Sequence, residues 1–302
     1  MELYASGFNA WGQLRFQNPE SCAEPDDLHE FTCVLAGDAI DKPRPSLSHT
    51  AVVVDGKVRT AGFLPTAHRL LCREDFLSKH TLAESSAGAV VVLDPTGSIR
   101  QYKSLNGFLN QGQCQTWPEL PPCQQLVAYE TGFSAVTRTG HVYTVGDERY
   151  SACLGRETSP ASPADQPGLV TALEDLPTGP ISRIAAGGYV LAALTTGNDL
   201  YIWGGHPGRK TVPADISDEP TPVDIQDNDI ADVAVGESHI IALTTNGDVF
   251  VIGENGNGQL GLPSKSEESW RRVPLDLKDG RKVVGVQAGA RNSFLLVHKG
   301  ST

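Results

Sequence analysis

The hydrophobic pattern of the chain is clearest between residues 236 and 262, where two short apolar runs flank a turn. Residues 240–243 and 249–252 are apolar at every position, so a strand built from either run presents apolar side chains on both faces. Asn246-Gly247 between them is typical of a tight β-hairpin in which both central residues need positive φ. The pattern predicts a hairpin with protein packed above and below it.

Weaker copies of this hairpin recur along the chain. Their turns fall at Gly56, Gly97, Gly140 and Gly197, before the one at Gly247. The mean interval is about 50 residues, which is the length that four short strands and their turns require. The sequence therefore predicts an all-β fold, a closed β-propeller of four-stranded blades with six units. A compressed seventh unit, drawing on residues 66–84 and 103–124, is the alternative.

The two ends of the chain match complementary halves of this unit. Residues 3–14 repeat the second half, since both 3–14 and 250–260 read strand, Gly, x, Asn, x, x, Gly, Gln, Leu. Residues 283–297 repeat the first half. We therefore expect the N- and C-terminal segments to complete one shared blade, which closes the propeller and makes residues 1–302 a single domain.

The segments between the units are polar and rich in proline or glycine. Residues 18–46 predict a connector with one outer strand at 31–35, and 66–84 predict a short helix or an insert because their leucines fall at helical offsets. Residues 103–124 and 157–180 are expected to be loops, as is the acidic stretch from 215 to 232.

Charge and cysteine usage narrow the function classes. The chain has 24 basic and 36 acidic residues, a net charge of −12, which disfavours direct binding to DNA or to an anionic membrane. The N-terminal residues have neither the basic region nor the apolar core of a signal peptide, and no apolar run approaches the length of a membrane span. We expect a cytoplasmic and/or nuclear protein with reduced cysteines, at Cys22, Cys33, Cys72, Cys114, Cys123 and Cys153.

The repeat unit resembles that of the regulator of chromosome condensation family. Gly236-Glu237-Ser238-His239 and residues 253–261 match that family's blade pattern almost in full, and residues 3–14 match well. The units at 132–155 and 187–205 match through the turn and then diverge. The resemblance implies a propeller, usually of seven blades, so a count of six departs from the family. His239 and His49, at the starts of inner strands, are expected to be hydrogen-bonding core residues.

Two motifs resemble nucleotide-binding loops but lack the required context. Residues 256–261 fit GxGxxG, and 204–211 resemble a phosphate loop in which Arg209 replaces the second glycine. Neither precedes a helix whose N-terminus could face a phosphate group. The His and Cys residues form only loose pairs, so we expect no metal, no cofactor and no catalytic residues.

The resemblance implies a non-enzymatic adaptor that binds other proteins, as a monomer or in a heterodimer. Short single-propeller members of the family include the cytosolic partner of the small zinc protein that serves Elongator-dependent tRNA wobble-uridine modification and diphthamide synthesis. Others recruit chromatin enzymes. The alternative from a different class is guanine-nucleotide exchange on the small GTPase Ran, the activity of the founding member.

Function in a propeller resides in its loops, so the candidate contact residues are aromatic and basic residues of the more variable loops. An ordinary loop role is an equally good interpretation of each. The candidates are Trp11 and Arg15, Arg149 and Tyr150, His206 and Arg209, and Trp270, Arg271 and Arg272.

Overall fold

The computed structural model describes residues 1–16, 25–73, 76, 80–208, 212–213, 216–278 and 280–300. The chain divides into two compact units, which we call unit 1 (Met1–Glu74 with Ile225–Thr302) and unit 2 (Asp75–Asp224). Each unit contains three small antiparallel sheets. The expectation of one domain over residues 1–302 stays a prediction.

Unit 1 contains two four-stranded sheets and one three-stranded sheet. Sheet 1 has the spatial order β22 (Lys282–Ala288), β23 (Asn292–His298), β1 (Glu2–Gly7) and β2 (Leu28–Ala36). Sheet 2 consists of β3 (Arg44–Pro45), β4 (His49–Val54) and β5 (Lys57–Gly62). Sheet 6 consists of β18 (Ile230–Val235), β19 (His239–Thr244), β20 (Val249–Glu254) and β21 (Ser266–Arg272).

Unit 2 contains three four-stranded sheets of the same meander order. Sheet 3 consists of β6 (Thr81–Glu84), β7 (Val90–Leu93), β8 (Ile99–Tyr102) and β9 (Cys114–Thr116). Sheet 4 consists of β10 (Cys123–Tyr129), β11 (Gly132–Thr137), β12 (Val142–Val145) and β13 (Gly168–Leu169). Sheet 5 consists of β14 (Ile181–Gly187), β15 (Val190–Thr195), β16 (Leu200–Gly204) and β17 (Thr221–Val223).

The helices are few and short. A six-residue helix spans Thr66–Leu71 and a five-residue helix spans Leu105–Leu109, where the hydroxyl of Ser104 accepts the N–H of Gly107. Two 3₁₀ segments span Glu148–Leu154 and Thr171–Leu173. Among the described helices, none is long and apolar enough to cross a membrane.

The all-β prediction and the count of six blade-like sheets are confirmed. The residues that suggested a seventh unit instead contribute to these six sheets, since Thr81–Glu84 and Cys114–Thr116 are strands of sheet 3. Three stretches expected to be loops carry strands as well, because an edge strand needs only two or three residues to pair. Sheet 2 departs from the expected four strands, since no described residue pairs with the outer edge of β5.

The first and last strands of the chain lie side by side in sheet 1, as the two half-units predicted. β1 is antiparallel to β23, with Glu2 opposite Val297 and Gly7 opposite Asn292. The predicted outer strand at residues 31–35 is the centre of β2, which pairs with β1 on its other side. The sheet is therefore assembled from segments about 290 residues apart in sequence.

The hairpin turn at Asn246-Gly247 differs from the predicted type. Gly247 has φ +91, but Asn246 is not among the residues with positive φ. The N–H of Gly247 donates to the carbonyl of Thr244, and the N–H of Thr244 donates to that of Asp248. These bonds define a type I turn followed by a bulge, which needs one residue of positive φ rather than two.

The second strand of each sheet is buried on both faces, which explains its lack of hydrophobic alternation. All residues of β11, β15 and β19 are buried. In unit 2, apolar side chains of sheets 3 and 4 form one cluster and those of sheets 4 and 5 form another. In unit 1, sheet 1 packs in the same way against sheets 2 and 6.

Polar side chains also join neighbouring sheets. The amide of Gln125 on β10 donates to the carbonyl of Ile184 at 2.7 Å and accepts the N–H of Ile184 at 2.9 Å. Asp232 on β18 accepts the N–H of Val286 at 2.9 Å in the same way. Both residues lie at a β-bulge of the first strand of a sheet, so the bulge turns a polar side chain towards the next sheet.

Both predicted core histidines begin a second strand and are buried, at 1% exposure for His239 and 5% for His49. The Nε2 of His239 lies 2.9 Å from the hydroxyl of Ser293, which confirms the hydrogen-bonding role of this residue. His49 instead packs edge-on against the ring of His68, at 5.2 Å between centroids.

His239 makes folding stability depend on pH. Burial lowers the pKa of His239 from 6.5 to about 4, so below pH 6.5 the unfolded chain binds a proton that the folded chain takes up only near pH 4. Stability is therefore lost as the pH falls through this window, by on the order of 3 kcal/mol. We expect His239→Gln to remove this part of the pH dependence, as measured by urea unfolding at pH 7 and pH 4.5.

His141→Gln is the matched control, because His141 lies on a turn with a half-exposed side chain. It should leave the pH dependence unchanged. An equal effect of the two substitutions would contradict the assignment of the pH dependence to His239.

Candidate functional site

Two return loops of unit 1, the loops that follow β1 and β20, have the same pattern of hydrogen bonds. In the loop after β20, Asn255 Oδ1 accepts the N–H of Leu260 and Gln259 Oε1 accepts the N–H of Asn257. In the loop after β1, Asn9 Oδ1 accepts the N–H of Leu14 and Gln13 Oε1 accepts the N–H of Trp11. The Asn and Gln of the repeat therefore satisfy backbone groups and fix the shape of both loops.

Trp11 stands on one of these loops with its side chain exposed. Its indole ring lies 6.0 Å from the ring of Phe63, and the two residues are 52% and 60% exposed. Leu47 is 56% exposed, and its carbonyl accepts the side-chain amide of Gln13, which holds it beside the same loop. The three apolar side chains form an exposed patch of unit 1. The second candidate of this loop, Arg15, is half-buried.

In unit 2, the loop after β12 adopts a different conformation. It forms the 3₁₀ segment Glu148–Leu154, and the carboxylate of Asp147 accepts the N–H of Arg149 at its start. The guanidinium of Arg149 also pairs with this carboxylate, and these hydrogen bonds lower the pKa of Asp147. The pairing positions Arg149, whose side chain is 82% exposed, without burying it.

The 3₁₀ segment is hydrogen-bonded to sheet 5. The indole N–H of the fully buried Trp203 donates to the carbonyl of Cys153 at 3.2 Å. Cys153 itself is buried, and burial raises the pKa of its thiol to about 12, so it stays protonated. Its Sγ lies 3.4 Å from the carbonyl oxygen of Tyr189 and 3.6 Å from that of Gly205, so its single proton can be donated to either. The loop of sheet 4 is thereby fixed to sheet 5.

Three aromatic side chains converge above this anchor, and we call Tyr150, Tyr189 and His206 the aromatic cluster. Their ring centroids lie 4.6 Å apart for Tyr189 and His206, 5.3 Å for the two tyrosines and 5.5 Å for Tyr150 and His206. All three are half-buried. The guanidinium carbon of Arg149 lies 6.0 Å from the Tyr150 ring centroid, at the outer limit of a cation–π contact.

The structure therefore brings together three of the nine sequence-predicted contact residues: Arg149, Tyr150 and His206. Trp11 and Arg15 belong to unit 1, whereas the aromatic cluster belongs to unit 2. Arg209 lies outside the described residues.

The placement of Trp270, Arg271 and Arg272 on a loop was wrong. They lie at the end of β21, the outer strand of sheet 6, where Arg271 is opposite Val251 and Arg272 is opposite Phe250. Both arginines are in ion pairs, Arg271 with Glu267 and Arg272 with Asp248. The polar run before Trp270 suggested a loop, but an exposed edge strand tolerates such a composition.

Sequence reasoning missed Tyr189 as a site residue. It directly precedes β15, at the position that Ser238 occupies before β19, and the carbonyls of both accept an amide of the following loop. The repeat contained a signal for this residue, because Tyr189 stands where the equivalent position of sheet 6 has a serine, Ser238. Comparison of equivalent positions between blades would have identified it.

The motif at residues 256–261 forms no nucleotide-binding loop, and the motif at 204–211 extends beyond the described residues. Residues 256–261 belong to the return loop described above, and β21 rather than a helix follows them. Among the described residues, no group of three or more His, Cys, Asp or Glu side chains could hold a metal ion. An apolar pocket between sheets 3 and 4 is lined by Val91, Ile99, Leu126 and Phe133.

Comparison with known proteins agrees with this architecture. Two family models of the regulator of chromosome condensation (RCC1) repeat match the chain, at residues 230–259 and 246–296. These matches fall on sheets 6 and 1, where the repeat pattern is strongest. The chain is an RCC1-type repeat propeller.

Curated relatives are 26–31% identical to this RCC1-type propeller over the residues that align. Mouse secretion-regulating guanine nucleotide exchange factor is 26% identical over 91% of this chain and 64% of its own length. Human regulator of chromosome condensation is 31% identical over 42% of this chain and 30% of its own. The mitochondrial RCC1 domain-containing protein RUG3 of Arabidopsis thaliana is 29% identical over 56% and 39%. The chain thus spans less than two thirds of each of these relatives.

Solved structures show the same fold at low sequence identity. Prp20p of Saccharomyces cerevisiae superposes with a TM-score of 0.71, at 14% identity, over 99% of this chain and 92% of its own. Human WBSCR16 superposes with a TM-score of 0.62, at 18% identity, over 99% and 81%. These similarities establish the propeller fold and leave the partner open.

Gly155, at the end of the 3₁₀ segment, tests how the aromatic cluster is held. It has φ +62, and a Cβ there would lie 2.6 Å from the indole Nε1 of Trp203. Gly56 has a similar φ of +75 with nothing within 4 Å of its Cβ position, so it reports the backbone strain alone. We expect Gly56→Ala to cost about 1 kcal/mol of unfolding free energy and Gly155→Ala about 2–4 kcal/mol in urea titrations.

The fluorescence of the buried Trp203 provides a second readout. Gly155→Ala should change the emission of Trp203 because the added methyl group displaces the indole from its bond to Cys153, whereas Gly56→Ala should not. Equal losses of stability without a spectral change would contradict the anchor.

Proposed function

We propose that this chain is a non-enzymatic adaptor that binds another protein through the aromatic cluster and Arg149. The observation that carries the proposal is the convergence of Tyr150, Tyr189 and His206 from two neighbouring sheets into one half-buried group. Tyrosine and arginine are the residue types that most often anchor protein interfaces.

The mutual packing of the cluster supports a binding role rather than an ordinary loop role. The three rings already contact one another, and Arg149 is held by Asp147, so a partner would order few additional rotamers on binding. Arg149 is the most exposed member of the group and can meet an acidic side chain of the partner.

The identity of the partner rests on resemblance to the family. The expected candidates are the small zinc protein that serves Elongator-dependent tRNA modification and diphthamide synthesis, and a chromatin enzyme. A cytoplasmic and/or nuclear location, expected from the sequence, is part of the proposal, although a relative is named as mitochondrial. We retain a monomer or heterodimer as the expected state.

Affinity purification of the tagged chain from its native cells tests the proposal. The double variant Arg149→Ala/Tyr150→Ala should reduce recovery of the main partner by about tenfold or more, because each truncated side chain belongs to the central contact. Recovery of the zinc protein or Elongator components would support the tRNA branch, and recovery of a histone-modifying enzyme the chromatin branch.

Arg100→Ala is the control, since Arg100 is an exposed arginine of the same unit on β8. It should leave recovery unchanged. If Trp11→Ala abolishes recovery and the double variant does not, the contact lies on the exposed patch of unit 1 and the assignment to the cluster is wrong.

Guanine-nucleotide exchange is the second candidate function. It is favoured by the alignment of 91% of this chain with a guanine nucleotide exchange factor and by the fold of Prp20p, whose binding to Gsp1p and histones has been described. Release of labelled GDP from Ran tests it directly. Stimulation at catalytic concentrations of the chain would replace the adaptor proposal, whereas release at the intrinsic rate would support it.

A further inference from the structure

Among the described residues, sheet 2 has three strands and no outer strand beside β5, whereas each of the other sheets has four. The third strands β1, β8, β12, β16 and β20 are each covered by a fourth strand. β5 occupies the equivalent position in sheet 2, because Gly62 is opposite His49 as Gly253 is opposite His239. Within the described part of the chain, β5 pairs with β4 alone.

The hairpin geometry determines which backbone groups of β5 face outward. The turn residues Asp55 and Gly56 both have positive φ, which defines a two-residue turn flanked by a hydrogen-bonded pair, Val54 and Lys57. Val58 then forms a non-hydrogen-bonded pair with Val53. This agrees with the carbonyl of Val53, which points the other way and accepts the N–H of Asp41. The N–H and C=O of Val58, and likewise those of Thr60, are therefore directed to the open edge.

The exposure of β5 sets it apart from its counterparts. Every residue of β16 is buried, as are the first five of β20, whereas β5 exposes Lys57, Arg59, Thr60 and Gly62. The positions equivalent to Arg59 and Thr60 are Phe250 and Val251 in β20, which pair with Arg272 and Arg271 of the outer strand. The same backbone positions in β5 are free to receive a strand.

The charges on this edge indicate what kind of strand it accepts. Lys57 and Arg59 lie two residues apart, so their side chains share one face of the strand. Neither is in an ion pair within the described residues. The nearby carboxylate of Asp55 accepts the N–H groups of Asp38 and Ala39 instead. A second copy of β5 would place like charges opposite each other across an antiparallel ladder, which disfavours self-pairing.

We propose that the open edge of β5 binds an extended acidic segment of a partner protein, which adds as the missing fourth strand of sheet 2. Main-chain hydrogen bonds to Val58 and Thr60 supply the pairing, and alternate acidic side chains of the segment lie beside Lys57 and Arg59. No residue of this edge belongs to the aromatic cluster. The present proposal and the proposed function can therefore be contradicted independently of each other.

Hydrogen exchange of the free chain is the first test. The outward amides of Val58 and Thr60 should exchange quickly, whereas those of Arg59 and Ala61, which are bonded to β4, should exchange slowly. Slow exchange of all four amides would show that another part of this chain already covers the edge, and this would overturn the proposal.

Peptide binding is the second test. The probe is the synthetic peptide acetyl-Thr-Glu-Val-Glu-Val-Thr-amide, with a control peptide in which lysine replaces both glutamates. Only the acidic peptide should slow the exchange of Val58 and Thr60. Thr60→Pro removes one outward N–H and should weaken binding about three- to tenfold, whereas Thr60→Val keeps this group and should bind normally.

Charge reversal completes the design. Arg59→Glu should abolish binding of the acidic peptide and favour the lysine peptide, whereas Lys265→Glu, on an exposed lysine of sheet 6's return loop, should change nothing. Unaltered binding to Arg59→Glu would overturn the proposal. A dimer of the free chain that Thr60→Pro dissociates would also overturn it, since the occupant would then be a second copy.

Discussion

The repeated sheets depend on one close contact between a glycine and a carbonyl group. In four of the sheets the third strand ends at a glycine with positive φ, namely Gly7, Gly62, Gly204 and Gly253. A Cβ there would lie 2.2–2.4 Å from the carbonyl oxygen of the residue just before the second strand. The next amide in the chain donates to the same carbonyl at 2.8–2.9 Å. This contact ends the hairpin and directs the chain into its return loop, so any side chain at the glycine would displace the loop.

The loops that carry the candidate site follow β12 and β16. Their backbone leaves the sheet after a glycine, as in sheets 1, 2 and 6, but their side chains differ from those of the repeat. After Gly204 the chain continues with Gly205 and His206, and after Gly146 it forms the 3₁₀ segment that carries Arg149 and Tyr150. The polar Asn and Gln network, which fixes the loops after β1 and β20, is replaced there by the bond between Trp203 and Cys153. The aromatic cluster is thus supported by a different anchor from the one that the repeat encodes.

The sequence predicted the fold well because the second and third strands carry nearly all of the signal. Buried runs such as 240–243 and 249–252, and the glycines that follow them, recur at regular intervals and need no knowledge of tertiary contacts. Apart from the outer strand at residues 31–35, the outer strands were missed because they are exposed and defined by pairing alone, as the short strands Gly168–Leu169 and Thr221–Val223 show. The turn at Gly247 was assigned the wrong type for a similar reason, since the bulge depends on the register of the flanking strands.

The sequence predicted Tyr150 and His206 as contact residues but not Tyr189, and the position of Tyr189 in the fold explains why. Its carbonyl performs the same structural task as the carbonyls of Ser48, Ser238 and Arg291, each of which accepts the amide that follows a strand-ending glycine. Because the fold uses only the backbone at this position, the side chain is free to vary between blades. A serine at this position contributes no ring, whereas Tyr189 contributes an aromatic ring beside Tyr150 and His206. A blade of this kind can therefore acquire a contact residue without any cost to the hydrogen bonds that hold it together.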